Sequence, residues 1–281
     1  MLRIRRLAAI AAMLVVAATV PGFSGTFYSG SYNSSLVSID TATGVGTVIG
    51  PFGVGGVFAG AFSPSGVFYT VTGTYSDPNT SQLATVDLTT GHASFVAPLP
   101  VSNIDMLQFS ASGMLYASDG GVLYRADPST GVLTMIGAFG IPGGTGGMMD
   151  LAMDLSGTLY GVASRADDTG GSFFYTIDTS NGQATLLFSV ATSCIMGMAF
   201  DADDQLYATN FCAANSPLYS VDLGDFSVSI VGMTGIAHPH GGDIPRVPEP
   251  AAFVTAGLGL IALAGFRRAQ GRAKGCRATS R

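Results

Sequence analysis

A motif that recurs five times is the feature that most constrains the fold of this chain. Each copy has a strand of alternating apolar residues, a short turn and a second alternating strand, as in LVSIDTATGVGTVIG from Leu36. Alternation with a period of two is typical of β-strands that bury one face. The other copies begin at Leu83, Leu123, Phe174 and Leu218. Such repetition predicts a series of equivalent structural units.

The aspartates that open the turns give the period of the repeat. They are Asp40, Asp87, Asp127, Asp178 and Asp222, at spacings of 47, 40, 51 and 44 residues. A second hairpin pattern precedes four of the copies and begins at Ala61, Gln108, Ala152 and Ala199. Each unit therefore contains four short antiparallel strands. Four strands in about 40 to 50 residues are typical of one blade of a β-propeller.

The sequence thus predicts an all-β fold, a five-bladed β-propeller of four-stranded antiparallel blades, over residues 25–245. The first copy lacks a leading strand of its own. We expect the segment from Met233 to Pro245 to supply the innermost strand of the first blade, because this would close the ring and remove an open sheet edge. A twisted β-sandwich made of the same hairpins is the competing architecture.

The alternation also predicts the core. Large apolar residues stand at one equivalent position of the leading strands, at Phe62, Phe109, Met153 and Phe200. Tyrosines recur seven residues later, at Tyr69, Tyr116, Tyr160 and Tyr207. We expect both sets to pack between neighbouring blades. Because the chain contains no Trp, a WD-type repeat is excluded.

Composition excludes several other classes of protein. Charged residues make up only 11% of the chain, whereas 39 residues are Gly, so a disordered chain and a helical solenoid are both excluded. Residues 24–245 contain seventeen aspartates against Arg125 and Arg165, a formal charge of −15. Nucleic acid is therefore not expected as a partner, because neutralising phosphates requires clustered Lys and Arg.

The N-terminus has the pattern of a secretory signal peptide. Arg3, Arg5 and Arg6 precede an apolar stretch from Leu7 to Val20. We assign residues 1–24 to a signal helix, which implies that the secretion translocon and signal peptidase act on the chain. An uncleaved N-terminal membrane anchor is the alternative.

The C-terminus contains three elements in a fixed order. Residues 246–250 include the sorting motif of Val247, Pro248, Glu249 and Pro250. Residues 251–266 form an apolar transmembrane helix of about 24 Å. Residues 267–281 form a basic tail, in which Arg267 and Arg268 act as the stop-transfer signal and stay in the cytoplasm. A simple single-pass anchor is the alternative.

This ordered combination resembles the PEP-CTERM sorting signal of exported proteins in Gram-negative bacteria. The resemblance covers residues 247 to about 268, although this tail continues beyond the arginines through GRAKGCRATSR. It implies that an exosortase, a membrane-embedded protease-transpeptidase, recognises Pro248, Glu249 and Pro250. It also implies an inner-membrane intermediate, a final location at the cell surface or outside the cell, and a bacterium that makes extracellular polysaccharide.

The many aspartates raise the question of Ca²⁺, which prefers clustered carboxylate and carbonyl oxygens. Asp40, Asp87, Asp127 and Asp178 each precede a Gly by four residues, so we expect them to form turns instead. Asp105 and Asp150 near the start of leading strands, with His238 and His240 in the closing strand, are candidate metal ligands at one mouth of the channel. The alternative is that HPHGGD is a polar loop, and no cofactor is required by any motif.

The cysteines predict one disulfide. If Phe200 pairs with Leu206 across a hairpin, the same register places Cys194 opposite Cys212 on adjacent antiparallel strands, within disulfide range. Oxidising conditions outside the cytoplasm favour the bond. A bulge between the strands would shift the register and separate the pair. Cys276 should remain a thiol in the cytoplasmic tail.

No catalytic motif is found in the sequence. We therefore expect a non-enzymatic, exosortase-processed protein of the cell surface or extracellular matrix, with a binding or structural role and polysaccharide among its candidate partners. The alternative is a secreted metal-dependent hydrolase of the lactonase or phosphatase type, with Asp105, Asp150 and His238 near the channel. Analogy of fold alone supports that alternative.

Overall fold

A computed structural model describes residues 25–74, 77–143, 145–164 and 170–246. The described residues form twenty β-strands, and none of them lies in a helix. No helix long and apolar enough to span a membrane occurs among them. The predicted signal helix of residues 1–24 lies outside the described residues, as do the sorting motif from Val247 to Pro250, the helix of residues 251–266 and the tail with Arg267 and Arg268.

The twenty strands form five separate sheets of four antiparallel strands, which we call blades 1 to 5. The strands of blade 1 are β20 (Pro239–Asp243), β1 (Thr26–Ser31), β2 (Ser35–Asp40) and β3 (Gly46–Pro51). Those of blade 2 are β4 (Ala61–Phe62), β5 (Phe68–Thr74), β6 (Asp77–Val86) and β7 (Ala93–Pro98). Those of blade 3 are β8 (Met106–Phe109), β9 (Leu115–Ser118), β10 (Val122–Ala126) and β11 (Leu133–Ala138).

Blades 4 and 5 follow the same order from the innermost to the outermost strand. The strands of blade 4 are β12 (Gly147–Met153), β13 (Leu159–Ser164), β14 (Ser172–Ile177) and β15 (Ala184–Val190). Those of blade 5 are β16 (Ile195–Phe200), β17 (Leu206–Asn210), β18 (Pro217–Asp222) and β19 (Ser227–Met233).

The blades form a closed ring. The innermost strands β20, β4, β8, β12 and β16 contact one another in that order, and β16 contacts β20 again. The closing strand β20 pairs with β1, with His240 opposite Gly30, so the last described strand completes the first blade. The prediction of a five-bladed β-propeller closed by the segment from Met233 to Pro245 is confirmed, and the β-sandwich is excluded.

The hydrophobic core is divided among the five seams between neighbouring blades. Each seam contains one cluster of buried apolar residues contributed by both blades. The predicted core residues Phe62, Phe109, Met153 and Phe200 are all buried there. Tyr116 is also buried, whereas Tyr69, Tyr160 and Tyr207 are half-buried. The ring of Tyr69 packs on Phe109 of the next blade at 5.2 Å, as Tyr160 does on Phe200.

The repeat aspartates form turns, as predicted. Asp127 Oδ1 accepts hydrogen bonds from the backbone amides of Ser129 and Thr130 at 2.8 and 3.1 Å. Hydrogen bonds from the side chain and amide of Ser129 hold the pKa of Asp127 below its usual value. Four residues after these aspartates, glycine takes a positive φ in blades 1 to 4. In blade 5 this position is Phe226, with φ of 61°, and its ring stacks on Phe188 at 4.9 Å.

The disulfide Cys194–Cys212 forms, with 5.7 Å between the Cα atoms, but the predicted register around it is wrong. Phe200 pairs with Leu206, and a bulge between Ile195 and Gly197 then shifts the pairing by one residue. The two cysteines lie just outside β16 and β17 rather than directly opposite within them. They still meet because Cys194 has a φ of 57°, which turns the chain before β16 begins.

Candidate functional site: the mouth of the propeller channel

A cavity of about 650 Å³ opens at the end of the channel where the innermost strands begin. We call it the mouth cavity. Each blade contributes one residue at an equivalent position to its lining: His240, Phe58, Asp105, Met149 and Met196, from blades 1 to 5 in order. Each lies four positions before the core residue of its own innermost strand, counted from Ile244, Phe62, Phe109, Met153 and Phe200. One position of the repeat therefore contributes a residue from every blade to the lining of the mouth cavity.

Bulges explain how three of these side chains reach the channel. The pairing of β12 with β13 shifts between Met148 and Asp150, which leaves Met149 as the extra residue. The bulge in β16 does the same for Met196. In blade 2 the isolated bridge from Val57 to Thr72 is displaced by one residue from the register of β4 and β5. A bulge redirects a side chain locally, and bulges are enriched beside functional sites.

Aromatic rings form one side of the mouth cavity. Phe58 lies 6.0 Å from the ring of His240, and Phe211 lies 5.4 Å from the same ring in an edge-to-face arrangement. Tyr32 packs on Phe211 at 6.5 Å and on His238 at 5.7 Å, and it remains 73% exposed at the rim. Together with the two methionines, these rings make most of the lining apolar and polarisable.

The disulfide holds part of this aromatic side in place. Phe211 directly precedes Cys212, and its backbone amide donates a hydrogen bond of 2.9 Å to the carbonyl oxygen of Cys194. The bond between Cys194 and Cys212 therefore fixes the loop that carries Phe211 into the mouth cavity. His238 contacts this loop, with its Nδ1 at 2.5 Å from the carbonyl oxygen of Phe211.

Two ionisable groups interrupt the apolar lining. Asp105 lies just before β8, and its buried Oδ1 has no hydrogen-bond partner among the described residues. Burial raises the pKa of the Asp105 carboxyl to about 8, with a smaller contribution from the charge of Asp119. Asp105 also borders a side chamber of about 20 Å³, which has room for one water molecule. Oδ1 is therefore buried although Asp105 as a whole is half-buried, and the carboxyl group is largely protonated at neutral pH and borders the mouth cavity.

His240 is the second group. Its Nδ1 lies 2.6 Å from the carbonyl oxygen of Phe58, which can only accept a hydrogen bond, so Nδ1 carries the proton. Burial lowers the pKa of His240, and the ring is neutral with Nε2 as an acceptor. The mouth cavity thus offers one carboxyl group and one neutral imidazole.

The four predicted metal ligands do not come together. Asp105 and His240 line the same cavity, and His238 belongs to the aromatic cluster at its rim. Asp150 is fully buried between blades 4 and 5, where its carboxyl accepts hydrogen bonds from backbone amides. Among the described residues, no three His, Cys, Asp or Glu side chains lie close enough to hold a metal ion. The expectation that these four side chains share one mouth is therefore wrong.

The aspartate run in blade 5 has a structural role as well. Asp201 Oδ1 accepts hydrogen bonds from the amides of Asp203 and Gln205, both at 2.9 Å. Asp204 Oδ1 accepts one from the amide of Leu155 at 2.7 Å, which joins blades 4 and 5. These two aspartates therefore bond to backbone amides of their own hairpin and of the neighbouring blade.

The opposite end of the channel contains a smaller cavity than the mouth. A cavity of about 230 Å³ lies there, lined by Phe62, Gln108 and Arg246 among others. The guanidinium of Arg246 donates to the carbonyl oxygen of Met153. Burial raises the pKa of Asp243 to about 6 although the charge of Arg246 opposes this shift. The described chain begins and ends on this side, because Tyr28 near the start of β1 pairs with Asp243 at the end of β20.

Sequence reasoning missed Phe58, Met149, Met196, Phe211 and Tyr32 as residues of the site. The signal that could have found the first three is their common position, four residues before the repeated core residue. This comparison aligns the three residues with Asp105 and His240, whereas the bulges that bring Met149 and Met196 to the channel leave no clear mark in the sequence. Phe211 and Tyr32 lie in loops between strands, where the repeat predicts no structure.

The fold and this cavity define the protein as a five-bladed β-propeller with a mostly apolar mouth. No protein-family model matches the chain, and no curated protein matches it. It is similar in structure to a chain of the nidogen–laminin complex, with a TM-score of 0.52 and 12% identity over 78% of this chain and 97% of that one. It is also similar to a protein from a study of the de novo evolutionary emergence of a symmetrical protein, with a TM-score of 0.53 and 18% identity over 76% and 96%. At these identities the likeness shows the fold alone.

Proposed function

We propose that this protein is exported, processed by an exosortase and used as a non-enzymatic binding propeller at the cell surface or in the extracellular matrix. The observation that carries the binding role is the mouth cavity. Its volume of about 650 Å³ falls within the usual range for small-molecule sites, and its lining combines apolar walls with few polar groups. Polysaccharide is the other candidate partner, through exposed loops.

Export is supported by the basic and apolar N-terminus, by the ordered C-terminal elements and by the disulfide. Disulfides persist in oxidising compartments and are rare in the cytosol of most bacteria, so the bond between Cys194 and Cys212 favours a location outside the cytoplasm. The position of the chain ends supports the same proposal. Both leave the propeller on the side of Arg246, so a membrane-held C-terminal segment would leave the mouth cavity facing away from the membrane.

Replacement of Pro248, Glu249 and Pro250 by alanine tests exosortase processing in the producing bacterium. We expect the variant to accumulate as an unprocessed, membrane-retained precursor, while the parent is recovered at the surface or in the medium with a lower intact mass. A control carrying Thr279→Ala and Ser280→Ala, in the tail outside the motif, should be processed normally. Unchanged fractionation and intact mass in the triple variant would show that the tail is only an anchor.

A further inference from the structure

The mouth cavity has a polar feature that its apolar lining does not explain. Asp105 is the only carboxyl group among the described residues that line it, and its buried Oδ1 has no partner there. An unsatisfied buried polar group costs about 1 to 3 kcal/mol. The other two buried carboxyl groups of the innermost strands, Asp150 and Asp243, are satisfied by backbone amides. Asp105 is therefore the one that is free to bind a ligand.

We propose that the mouth cavity binds an organic ammonium ion, whose N–H groups donate to Asp105 and whose apolar or aromatic body packs among the rings and methionines of the lining. This inference rests on the proposed binding role and adds the class of ligand. A single polar anchor inside an apolar cavity is the usual way in which a site fixes the orientation of a small ligand.

The surroundings of Asp105 indicate that the ligand carries a positive charge. The charge of Asp119 acts on Asp105 from blade 3, and Asp150 interacts with it from blade 4. His240 faces the same cavity from blade 1 as a neutral ring. No lysine or arginine is among the described residues that line the cavity. A cation is the ligand that this local potential attracts, and the acidic propeller as a whole steers cations towards it.

The aromatic side of the cavity favours the same class. Phe58, Phe211 and Tyr32 present rings around the opening, with His240 between the first two. The faces of aromatic rings attract cations, and desolvation strengthens that attraction. The methionines Met149 and Met196 supply a flexible surface that can adapt to an apolar body. A metal ion would find one carboxylate here, whereas an organic ammonium ion can use the whole lining.

Binding of a cation is coupled to a proton on Asp105. The free carboxyl is largely protonated at neutral pH, and it must lose its proton to pair with the cation. The affinity for an ammonium ion should therefore rise with pH up to about pH 8, and then level off while the amine itself stays protonated. A neutral ligand of the same shape should show no such rise.

The test compares 2-phenylethylammonium with its neutral isostere 2-phenylethanol. Because the chain contains no Trp, Tyr32→Trp places a single tryptophan at the rim, and its fluorescence reports occupancy of the mouth. The full chain is used, exchanged from detergent into lipid nanodiscs where it is membrane-bound, and calorimetry on the unaltered chain checks the fluorescence result. We expect the ammonium to bind at least tenfold more tightly than the alcohol at pH 8, with a preference that decreases towards pH 6.

Asp105→Asn should remove the preference for 2-phenylethylammonium over 2-phenylethanol. Asp203→Asn is the matched control, because it makes the same substitution in an exposed hairpin turn outside the cavity, and it should keep the preference. The comparison of the two probes on the unaltered chain needs no variant, so it remains decisive if Asp105→Asn misfolds.

Three results would overturn the inference. Equal affinity for the two probes would show that the cavity binds neutral molecules, which leaves the proposed binding role intact. A preference that survives in Asp105→Asn would assign the cation to another group. Failure of both probes to bind would overturn the ligand class and the role of the mouth cavity together, whereas export and processing are judged separately by the fractionation of the tail variant.

Discussion

Asp150 Oδ2 accepts a hydrogen bond of 2.7 Å from the backbone amide of Met198, and this bond joins the innermost strands of blades 4 and 5. Its Oδ1 accepts a second bond from the amide of Leu151 at 2.9 Å. Asp243 makes the same connection between blades 1 and 2, through a bond of 2.8 Å from the amide of Phe62. These carboxyl groups satisfy backbone amides across the seams where adjacent blades meet.

Asp150→Asn should therefore destabilise the propeller. An asparagine has one acceptor oxygen, so one of the two amides would face an N–H group instead of an oxygen. We expect a loss of about 1 to 3 kcal/mol in the free energy of unfolding, measured by chemical denaturation. Asp203→Asn at an exposed turn should change stability by less than about 0.5 kcal/mol. Equal midpoints for the Asp150 variant and the parent would contradict this role.

The disulfide should contribute to both stability and the mouth cavity. Cys194 and Cys212 are 18 residues apart, and closing a loop of this length stabilises a domain by about 3 kcal/mol in the chain-entropy model. We expect the variant with both cysteines changed to serine to unfold at lower denaturant concentration. It should also bind 2-phenylethylammonium more weakly, because the loop carrying Phe211 loses its link to Cys194.

A thiol count provides the control for the disulfide prediction. The denatured parent should show one free thiol, Cys276, before reduction and three after it, as long as the C-terminal tail is retained. A parent with three free thiols before reduction would show that the bond does not form in the protein as isolated. A serine variant with unchanged stability would show that the bond is energetically unimportant.

The repeat predicted the blades because the signals involved are local. Alternating burial specifies each strand, and an aspartate that bonds to its own turn specifies each hairpin, as at Asp127 and Ser129. Even ring closure could be predicted, since one strand was missing at the start and one segment remained at the end. Five copies of the same pattern also reinforced one another, so a weak signal in any single blade did not matter.

The mouth cavity could not be predicted in the same way. Its methionines reach the channel at bulges, and a bulge at Met149 or Met196 leaves no clear mark in the pattern of apolar residues. Asp150 was misassigned for a related reason. A buried carboxyl that bonds to the amide of Met198 in the next blade looks, in sequence, the same as one that faces a ligand. Only the arrangement of the blades distinguishes Asp105 from Asp150.

Stability should depend on pH through Asp105. Its folded pKa of about 8 lies above the value of 3.8 for an unperturbed aspartate, so the protonated carboxyl favours folding, and this contribution is lost as pH rises from about 4 to 8. The slope is about 1.4 kcal/mol per pH unit for each proton. Between pH 6 and pH 8, the parent should therefore lose stability relative to Asp105→Asn, which has no proton to lose.

The difference between parent and variant measures the titration of Asp105 together with its electrostatic coupling to Asp150. Asp150 and Asp243 also have raised pKa values, and burial lowers that of His240, but all three are present in both proteins. Denaturation midpoints at four pH values between 5 and 8.5 would measure the difference. A constant offset between the two proteins at every pH would mean that Asp105 does not titrate in this range.

Alanine variants of Gly182 and Gly113 distinguish the cost of backbone strain from the cost of a steric clash between blades. They have nearly the same backbone conformation, with φ of 81° and 84°. A Cβ on Gly182 would lie 2.5 Å from the carbonyl oxygen of Gly137 in the outermost strand of blade 3, whereas a Cβ on Gly113 would meet nothing within 4 Å. Gly113→Ala should therefore cost only the conformational term of about 1 to 2 kcal/mol. Gly182→Ala should cost clearly more, because the obstructing atoms belong to the backbone and blades 3 and 4 must move apart. Equal losses of unfolding free energy in the two variants, measured by chemical denaturation, would show that blades 3 and 4 can move apart without loss of stability.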